Sequence, residues 1–263
     1  YSFGGNFILR GIERVIISQE TLKTNGILKL EKKQIIQIRS EAYKPYYISR
    51  TVTLRWVKGE VVVIFNALKK KVKEFPIPLF ILFRALGIET DQEIISAILQ
   101  KPEDQEMMNL LYATRGNIGL DLPANKNETE LFDFDMVLNQ KQALKYLSLY
   151  ISRTIRIADK SDEEKIHARR IQVLQKEILA NEFLPHMGQN LKHKGLFLGH
   201  MVNQLLSMVL GRIKGDNRDS YIFKRVEAPG KMLEYVIRNY WRRQLSEMQT
   251  TFKNKSDLDD PYS

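Results

Sequence analysis

Basic side chains are concentrated between residues 191 and 245. This stretch has eleven Lys and Arg residues but four Asp and Glu residues, so it carries +7 of the total net charge of +10. Aromatic residues are interleaved with it, namely Tyr221, Phe223, Tyr240 and Trp241. Lys and Arg bind phosphates and release counterions, so the pattern is typical of a surface that follows a nucleic-acid backbone. A solvated helix face is the alternative, and charge alone does not separate the two.

The remaining sequence offers little catalytic chemistry. The chain has no Cys, which excludes a disulfide framework, a thiolate zinc site, an iron–sulfur cluster and a cysteine nucleophile. The four histidines are scattered, and none has the spacing of a zinc-binding helix: His167, His186, His193 and His200. We therefore expect no metal or redox centre in this chain.

Two acidic pairs have metal-like spacing but a simpler interpretation. Asp216 and Asp219 surround Arg218. Because Asp accepts backbone amides well in turns, we expect this pair to cap the turn or to orient Arg218 and Lys224. The Asp-Phe-Asp run at residues 133–135 has two carboxylates and no third acid after it, so we do not expect a magnesium site there.

Composition indicates a globular protein of one large or two ordinary domains. The 263 residues are 43% hydrophobic and 27% charged. The longest apolar runs, residues 75–86 and 196–210, are shorter than the roughly 20 residues that cross a bilayer, so we expect no membrane span. The sequence begins at Tyr1 without Met or a basic-then-apolar leader, and we interpret it as a piece of a longer protein.

The first quarter of the sequence is predicted to be mostly β. Two apolar runs around Gly11 are typical of a hairpin. Three further strand-like runs follow, at residues 26–38, 47–56 and 61–65. Lys58-Gly59 is the predicted turn between the last two runs.

The rest is predicted to be mostly helical. Prolines at 76 and 78 delay a helix until Leu79, and Gly87 is placed to end it. Thr90 or Asp91 is expected to cap the next helix, through Gln100. A loop is predicted at residues 116–130, and a helix follows at 140–156. A capping box at 161–164 begins the next helix, which runs to about Pro185. The last predicted helix is at 196–210 and ends before Gly211. The fold class is therefore α+β, with a β-rich N-terminal part and a mostly helical C-terminal part.

Five blocks of the sequence resemble one protein family. The blocks are residues 4–20 (GGNFILRGIERVIISQE), 77–88 (IPLFILFRALGI), 182–186 (EFLPH), 196–203 (LFLGHMVN) and 216–226 (DNRDSYIFKRV). In this order they resemble the second-largest, β-like subunit of multisubunit DNA-dependent RNA polymerases. Differences from the nuclear versions, such as Asp219-Ser220-Tyr221 and Phe223, are more similar to the polymerases of large cytoplasmic DNA viruses.

The resemblance implies a lobe domain plus an incomplete protrusion domain. Residues 1–18 would end the first protrusion segment, 19–213 would form the lobe, and 214–263 would return to the protrusion. The expected activity is nucleotidyl transfer by the whole polymerase, with this segment carrying no catalytic residue. No cofactor is expected in this segment, and the magnesium of the whole enzyme would be bound by the largest subunit.

The resemblance also implies partners and a site. Expected partners are the largest subunit, a small lobe-binding subunit, initiation factors, the DNA template and the RNA–DNA hybrid, with the chain forming a jaw over the DNA cleft. Arg218, Lys224 and Arg225 are the predicted nucleic-acid-binding residues, since adjacent cations can bind neighbouring phosphates without reading bases.

The alternative is a stand-alone basic nucleic-acid-binding or scaffold protein without catalysis. The expected location is intracellular: the nucleus for a cellular protein, the host cytoplasm or virion for a viral one.

Overall fold

The computed structural model describes residues 6–42, 48–70, 73–99, 103–116, 137–151 and 163–256. The chain divides into two compact units. The larger unit is Thr24–Arg218, and the smaller unit combines Tyr1–Lys23 with Asp219–Ser263. Each unit is described by itself below.

The larger unit is built on a five-stranded antiparallel sheet. Its strands follow chain order: β4 (Ile27–Leu30), β5 (Ile35–Ala42), β6 (Ile48–Val57), β7 (Glu60–Lys70) and β8 (Lys73–Pro78). Alternate side chains point to the same face of a strand, and Val52 and Leu54 of β6 are fully buried on one such face. The predicted Lys58-Gly59 turn is confirmed, with both residues at positive φ.

Two helices follow the sheet, where the sequence predicts them. α1 (Leu79–Ala85) is buried along its whole length, and Gly87 ends it at φ +90°. The amide of Ile88 donates to the carbonyl of Phe83 at 3.1 Å, which closes the turn around this glycine. α2 (Asp91–Ile98) is capped by Thr90, whose side chain accepts from the amide of Glu93 at 3.3 Å.

Arg84 has a structural role in this region. Its guanidinium is buried, donates to the carbonyl oxygen of Val137, and pairs with the Asp91 carboxylate at 2.6 Å. An arginine on an apolar helix can either extend its guanidinium to solvent or form an ion pair within the fold. The ion pair is the one observed, and it joins α1 to the first residue of α2.

Further helical segments are found among the described residues of the larger unit, including a short 3-10 helix, Pro185–Met187. The longer ones are α3 (Gln105–Gly116), α4 (Gln140–Ser148), α5 (Glu163–Val173), which continues into a π-helix (Leu174–Glu182), and α6 (Leu191–Val209). α6 packs against α2 and against strands β5 and β6. Gly199 permits this approach, because a Cβ on it would overlap the backbone carbonyl of Ala97. Gly211 follows α6 at φ +71°, as predicted.

The two ends of the larger unit are tied together. The Asp216 carboxylate accepts the backbone amide of Lys29 at 3.0 Å, and the amide of Asp216 donates back to the Lys29 carbonyl at 2.8 Å. The amide of Gly215 donates to the Glu31 carboxylate at 3.0 Å. The chain therefore leaves this unit beside the strand by which it entered.

The smaller unit consists of two ribbons and one long helix. β1 (Asn6–Leu9) and β2 (Ile12–Val15) form the predicted hairpin, and β3 (Gln19–Leu22) pairs antiparallel with β9 (Lys224–Glu227). α7 (Pro229–Ser256) follows β9. None of the described residues of this unit is buried.

Several sequence predictions differ from the structure. The run at 26–38 is two strands separated by a 3-10 turn, Glu31–Lys33, and Gln34 at φ +49° reverses the chain. The helix predicted at 140–156 ends at Ser148. The 161–164 capping box, the 133–135 run and most of the 116–130 loop lie outside the described residues. Both α and β elements are present, as the α+β class requires.

Candidate nucleic-acid interface

The predicted pair Lys224 and Arg225 begins strand β9. Its partner strand is β3, with Leu22 opposite Lys224 and Thr21 opposite Arg225. A 3-10 turn, Tyr221–Phe223, precedes the strand, and the amide of Lys23 donates to the Phe223 carbonyl at 2.7 Å. The polymerase-like block therefore forms a turn that leads into a paired strand.

Lys224 has an acidic and an aromatic neighbour. Its Nζ lies 3.5 Å from the Glu20 carboxylate on β3 and 5.2 Å from the centre of the Tyr221 ring. The first contact is an ion pair and the second is a cation–π contact. The packing against Tyr221 is the structural alternative to phosphate binding, and the Lys224 side chain is still about one quarter exposed.

Arg225 lies on the other face of the ribbon. Successive side chains of a strand point to opposite sides, so Lys224 and Arg225 do not share a surface. The guanidinium of Arg225 pairs with the Glu227 carboxylate at 2.6 Å and donates to the Thr21 hydroxyl at 3.4 Å. The two adjacent residues therefore lie on different surfaces, and each pairs with a carboxylate, Glu20 for Lys224 and Glu227 for Arg225. Neither carboxylate is among the predicted site residues.

Asp216, one of the two acidic residues near Arg218, has a structural role. The Asp216 carboxylate accepts the backbone amide of Lys29 and lies 3.7 Å from the Lys29 amine, so the amide that it binds belongs to strand β4 and not to its own turn. Its ion-pair partner is Lys29, whereas Arg218 and Lys224 are the side chains that it is predicted to orient. Arg218 is exposed and is the last residue of the larger unit.

The basic stretch at 191–245 is not one continuous surface. Lys194 is fully buried in α6. Arg212 pairs with Asp104 and with Glu106, the latter at 2.6 Å, and the hydrogen bonds that it donates to these carboxylates raise the pKa of the guanidinium above its usual value. These two cations are therefore used inside the larger unit, and net charge along the sequence overstates the charge offered to a phosphate backbone.

Helix α7 carries further cations on an exposed surface. Arg238 pairs with Glu234 at 2.7 Å, and Arg243 pairs with Glu247 at 2.8 Å, both at i,i+4 spacing. Such exposed pairs stabilise a helix only weakly and remain open to exchange with phosphates. Tyr240 and Trp241 lie between them and are both 66% exposed.

An open cleft of about 640 Å³ lies in the larger unit where α2, α4 and α6 begin. Glu89 and Glu93 line it together with Lys192. The Glu89 carboxylate already accepts the first amide of α4, that of Gln140, at 3.4 Å. Two carboxylates against one amine do not favour a phosphate, so this cleft is a poor nucleic-acid site.

No metal centre is found within the described ranges, because no three His, Asp or Glu side chains there are grouped to hold an ion. Among those same residues, none of the helices has the length and hydrophobicity to span a bilayer.

Comparisons with known proteins give the same family as the five blocks. The family model described as RNA polymerase Rpb2, domain 2, matches residues 49–118 and 122–227. The chain is 32% identical over 254 residues to DNA-directed RNA polymerase II subunit RPB2 of Encephalitozoon cuniculi, covering 92% of this chain and 20% of that protein.

Similar relatives come from other lineages. DNA-directed RNA polymerase subunit Rpo2 of Sulfolobus acidocaldarius is 28% identical over 245 residues, covering 89% of this chain and 18% of the relative. DNA-directed RNA polymerase III subunit RPC2 of Drosophila melanogaster is 26% identical over 252 residues, covering 94% and 19%. The chain thus spans about a fifth of the length of the relatives it matches, and it belongs to the RNA polymerase Rpb2 domain 2 family.

Proposed function

We propose that this chain works as part of the second-largest subunit of a DNA-directed RNA polymerase, where it forms one jaw over the DNA cleft. The observation that carries the proposal is the family match over residues 49–118 and 122–227, together with relatives that are all named as polymerase subunits. The chain's own contribution is to position DNA and partner subunits, and nucleotidyl transfer belongs to the assembled enzyme.

The size of the native assembly tests this function. The full-length subunit, tagged and purified from its own cells, should co-purify with a large complex that incorporates nucleotides into RNA on a DNA template. The other candidate is a stand-alone basic nucleic-acid-binding or scaffold protein. A stable monomer without polymerase activity would establish that candidate and overturn ours.

Within this function, Arg218, Lys224 and Arg225 contact the sugar–phosphate backbone of the template or the RNA–DNA hybrid, Lys224 and Arg225 from the two opposite faces of their ribbon. What supports this is the exposure of Arg218 and the position of the other two beside an exposed turn. Glu20 and Glu227 hold Lys224 and Arg225 before binding, so the phosphates must replace these carboxylates. Contacts of this kind strengthen binding without reading the base sequence.

The salt dependence of binding tests the contact. In the assembled enzyme, replacing both Lys224 and Arg225 by Ala should weaken hybrid retention equally on different sequences and lower the slope of log K against log salt by up to about two units. The matched control replaces Arg169 and Lys176, an exposed pair of the larger unit, and should leave the slope unchanged. An unchanged slope in the first variant contradicts the contact.

The domain assignment is part of the same proposal. Residues 19–213 form the lobe, while 1–18 and 214–263 are two segments of a protrusion domain completed by other parts of the subunit. The absence of any buried residue among the described residues of the smaller unit supports this assignment. Its apolar side chains are present but uncovered, as expected of part of a domain.

The remaining partners follow from the same function. We assign the largest subunit, a small lobe-binding subunit and initiation factors as protein partners, and an intracellular location, nuclear in a eukaryote. Magnesium would be bound by the largest subunit, and no catalytic step involves a side chain of this chain. The viral origin suggested by Asp219-Ser220-Tyr221 stays a prediction.

A further inference from the structure

Lys194 is a buried cation whose amine binds only main-chain oxygens in the contacts we observe. It lies on α6 and is completely inaccessible to solvent. Its Nζ donates to the carbonyl oxygens of Leu179, Ala180 and Phe183 at 2.8, 2.7 and 2.5 Å. These three carbonyls lie at the end of the π-helix.

The position is unusual for a lysine and favourable for a helix end. Lysine is almost never fully buried without a partner, and burial lowers the pKa of Lys194 to about 8. The last carbonyls of a helix have no partner within the helix, and an ammonium supplies three donors and a positive charge at the negative end of the helix dipole. Lys194 therefore meets the hydrogen-bonding requirement of the segment that it contacts.

The segment held by Lys194 has two unfavourable backbone features. The amide of Phe183 donates to the carbonyl of Ile178 at 2.8 Å, an i to i−5 bond in a π-helix nine residues long. Helices of this kind are rare and are seldom longer than one turn. Leu184 follows with φ +42°, a left-handed conformation that is costly for a bulky residue, and it is fully buried.

The π-helical register, with its i to i−5 hydrogen bond, determines which side chains of this segment reach the sheet. Glu182, the last π-helical residue, pairs with Arg50 of β6 at 3.0 Å. His186 contacts the Ser40 hydroxyl of β5 through Nδ1 at 2.6 Å, and its amide donates to the same oxygen at 3.2 Å. A shift of one residue would turn Glu182 by about 100° around the helix axis and remove it from Arg50.

We propose that residues 174–187 are a two-state conformational element, and that the three bonds from Lys194 select the π register that docks Glu182 and His186 on the sheet. In the other state the segment has an α-helical register, the left-handed turn at Leu184 is relaxed, and the contacts with β5 and β6 are released. The element lies wholly in the larger unit and does not depend on the proposed polymerase function.

A double-mutant cycle between Arg50 and Glu182 tests the proposal. Arg50→Gln, Glu182→Gln and the double variant are compared by denaturant unfolding of this chain in three backgrounds: wild type, Lys194→Met, and Lys192→Met as an exposed control two residues away on the same helix. In the wild-type and Lys192→Met backgrounds, the effects of the two substitutions on the unfolding equilibrium constant should depart from additivity by about tenfold. In the Lys194→Met background the departure should be less than about twofold. Equal coupling in all three backgrounds overturns the proposal.

A measurement on the wild type keeps the test decisive if Lys194→Met does not fold. Amide hydrogen exchange at increasing denaturant should show residues 178–188 opening as one cooperative unit, at least about tenfold more often than strands β5 to β7. Exchange of this segment only through global unfolding, together with the sheet, overturns the two-state element.

Discussion

The two units both contain antiparallel strands and helices, but they differ in how far their hydrophobic side chains are buried. Every buried hydrophobic residue of the described chain belongs to the larger unit, while the smaller unit has most of the large hydrophobic side chains that are exposed. On α7 these form a stripe at helical spacing: Ile237, Trp241, Leu245, Met248 and Phe252. The comparison shows that an amphipathic helix and paired strands do not make a core until a second layer covers them.

Truncating a large aromatic residue to alanine should give the largest difference between the units in the loss of unfolding free energy. Phe65 is 1% exposed and contacts Phe183 edge to face at 5.5 Å, so Phe65→Ala should lower the free energy of unfolding by about 3–5 kcal/mol. Trp241→Ala, which removes a larger but 66% exposed side chain, should change it by less than about 0.5 kcal/mol.

Denaturant unfolding of the two variants measures this difference. Equal losses would mean that the stripe on α7 is covered in this chain, and the contrast between the units would then be wrong.

Replacing a glycine by alanine should also lower the free energy of unfolding more in the larger unit than in the smaller unit, but by less than the aromatic truncation. Gly199→Ala places a Cβ against the Ala97 carbonyl and should cost about 1–3 kcal/mol, because neither α2 nor α6 can move without disturbing the core. Gly230, in the first turn of α7, has open space at its Cβ, and Gly230→Ala should be neutral or slightly stabilising because alanine favours helix. Thermal unfolding of both variants checks this, and a neutral Gly199→Ala would contradict the close packing of the two helices.

The smallest expected effect concerns pH. Burial, followed by the charge of Lys194, lowers the pKa of His186 below its usual 6.5. The unfolded chain therefore binds more protons than the folded chain below pH 6.5, and this contribution to stability is lost as pH falls from 6.5 through the lower folded pKa. His186 belongs to the larger unit, so this acid effect should weaken the larger unit.

Unfolding curves at pH 7 and pH 5 measure the acid effect. His186→Gln should reduce the loss between these pH values, and His193→Gln, an exposed control on α6, should not. A loss of the same size in His186→Gln would assign the acid sensitivity to another group.

Local chemistry made part of the fold predictable. Gly87 and Gly211 end helices because only glycine adopts positive φ without cost, and Thr90 caps α2 because its hydroxyl accepts an amide. These features depend on a few neighbouring residues, so the sequence is enough to locate them.

Features that depend on distant partners could not be predicted. The apolar spacing of Leu174 and Ile178 fits an α-helix, and the π register depends on contacts with Lys194 from another helix. The charge of Lys224 and Arg225 was visible in the sequence, but Glu20 comes from a strand about two hundred residues earlier in the chain. α7 went unpredicted because its apolar stripe lies in a strongly charged sequence, although Pro229 at its first position was a usable signal.

The ties between Lys29, Glu31 and the 215–216 backbone make the larger unit a self-contained insertion. The first strand of the unit, β4, and the segment at residues 215–216 are bound to each other, so the two ends of the 195 residues between Lys23 and Asp219 lie side by side. Insertions with adjacent ends are the kind that chains acquire, lose and exchange most easily. Residues 24–218 can therefore vary in loop length and surface, or be expressed alone, without breaking these ties.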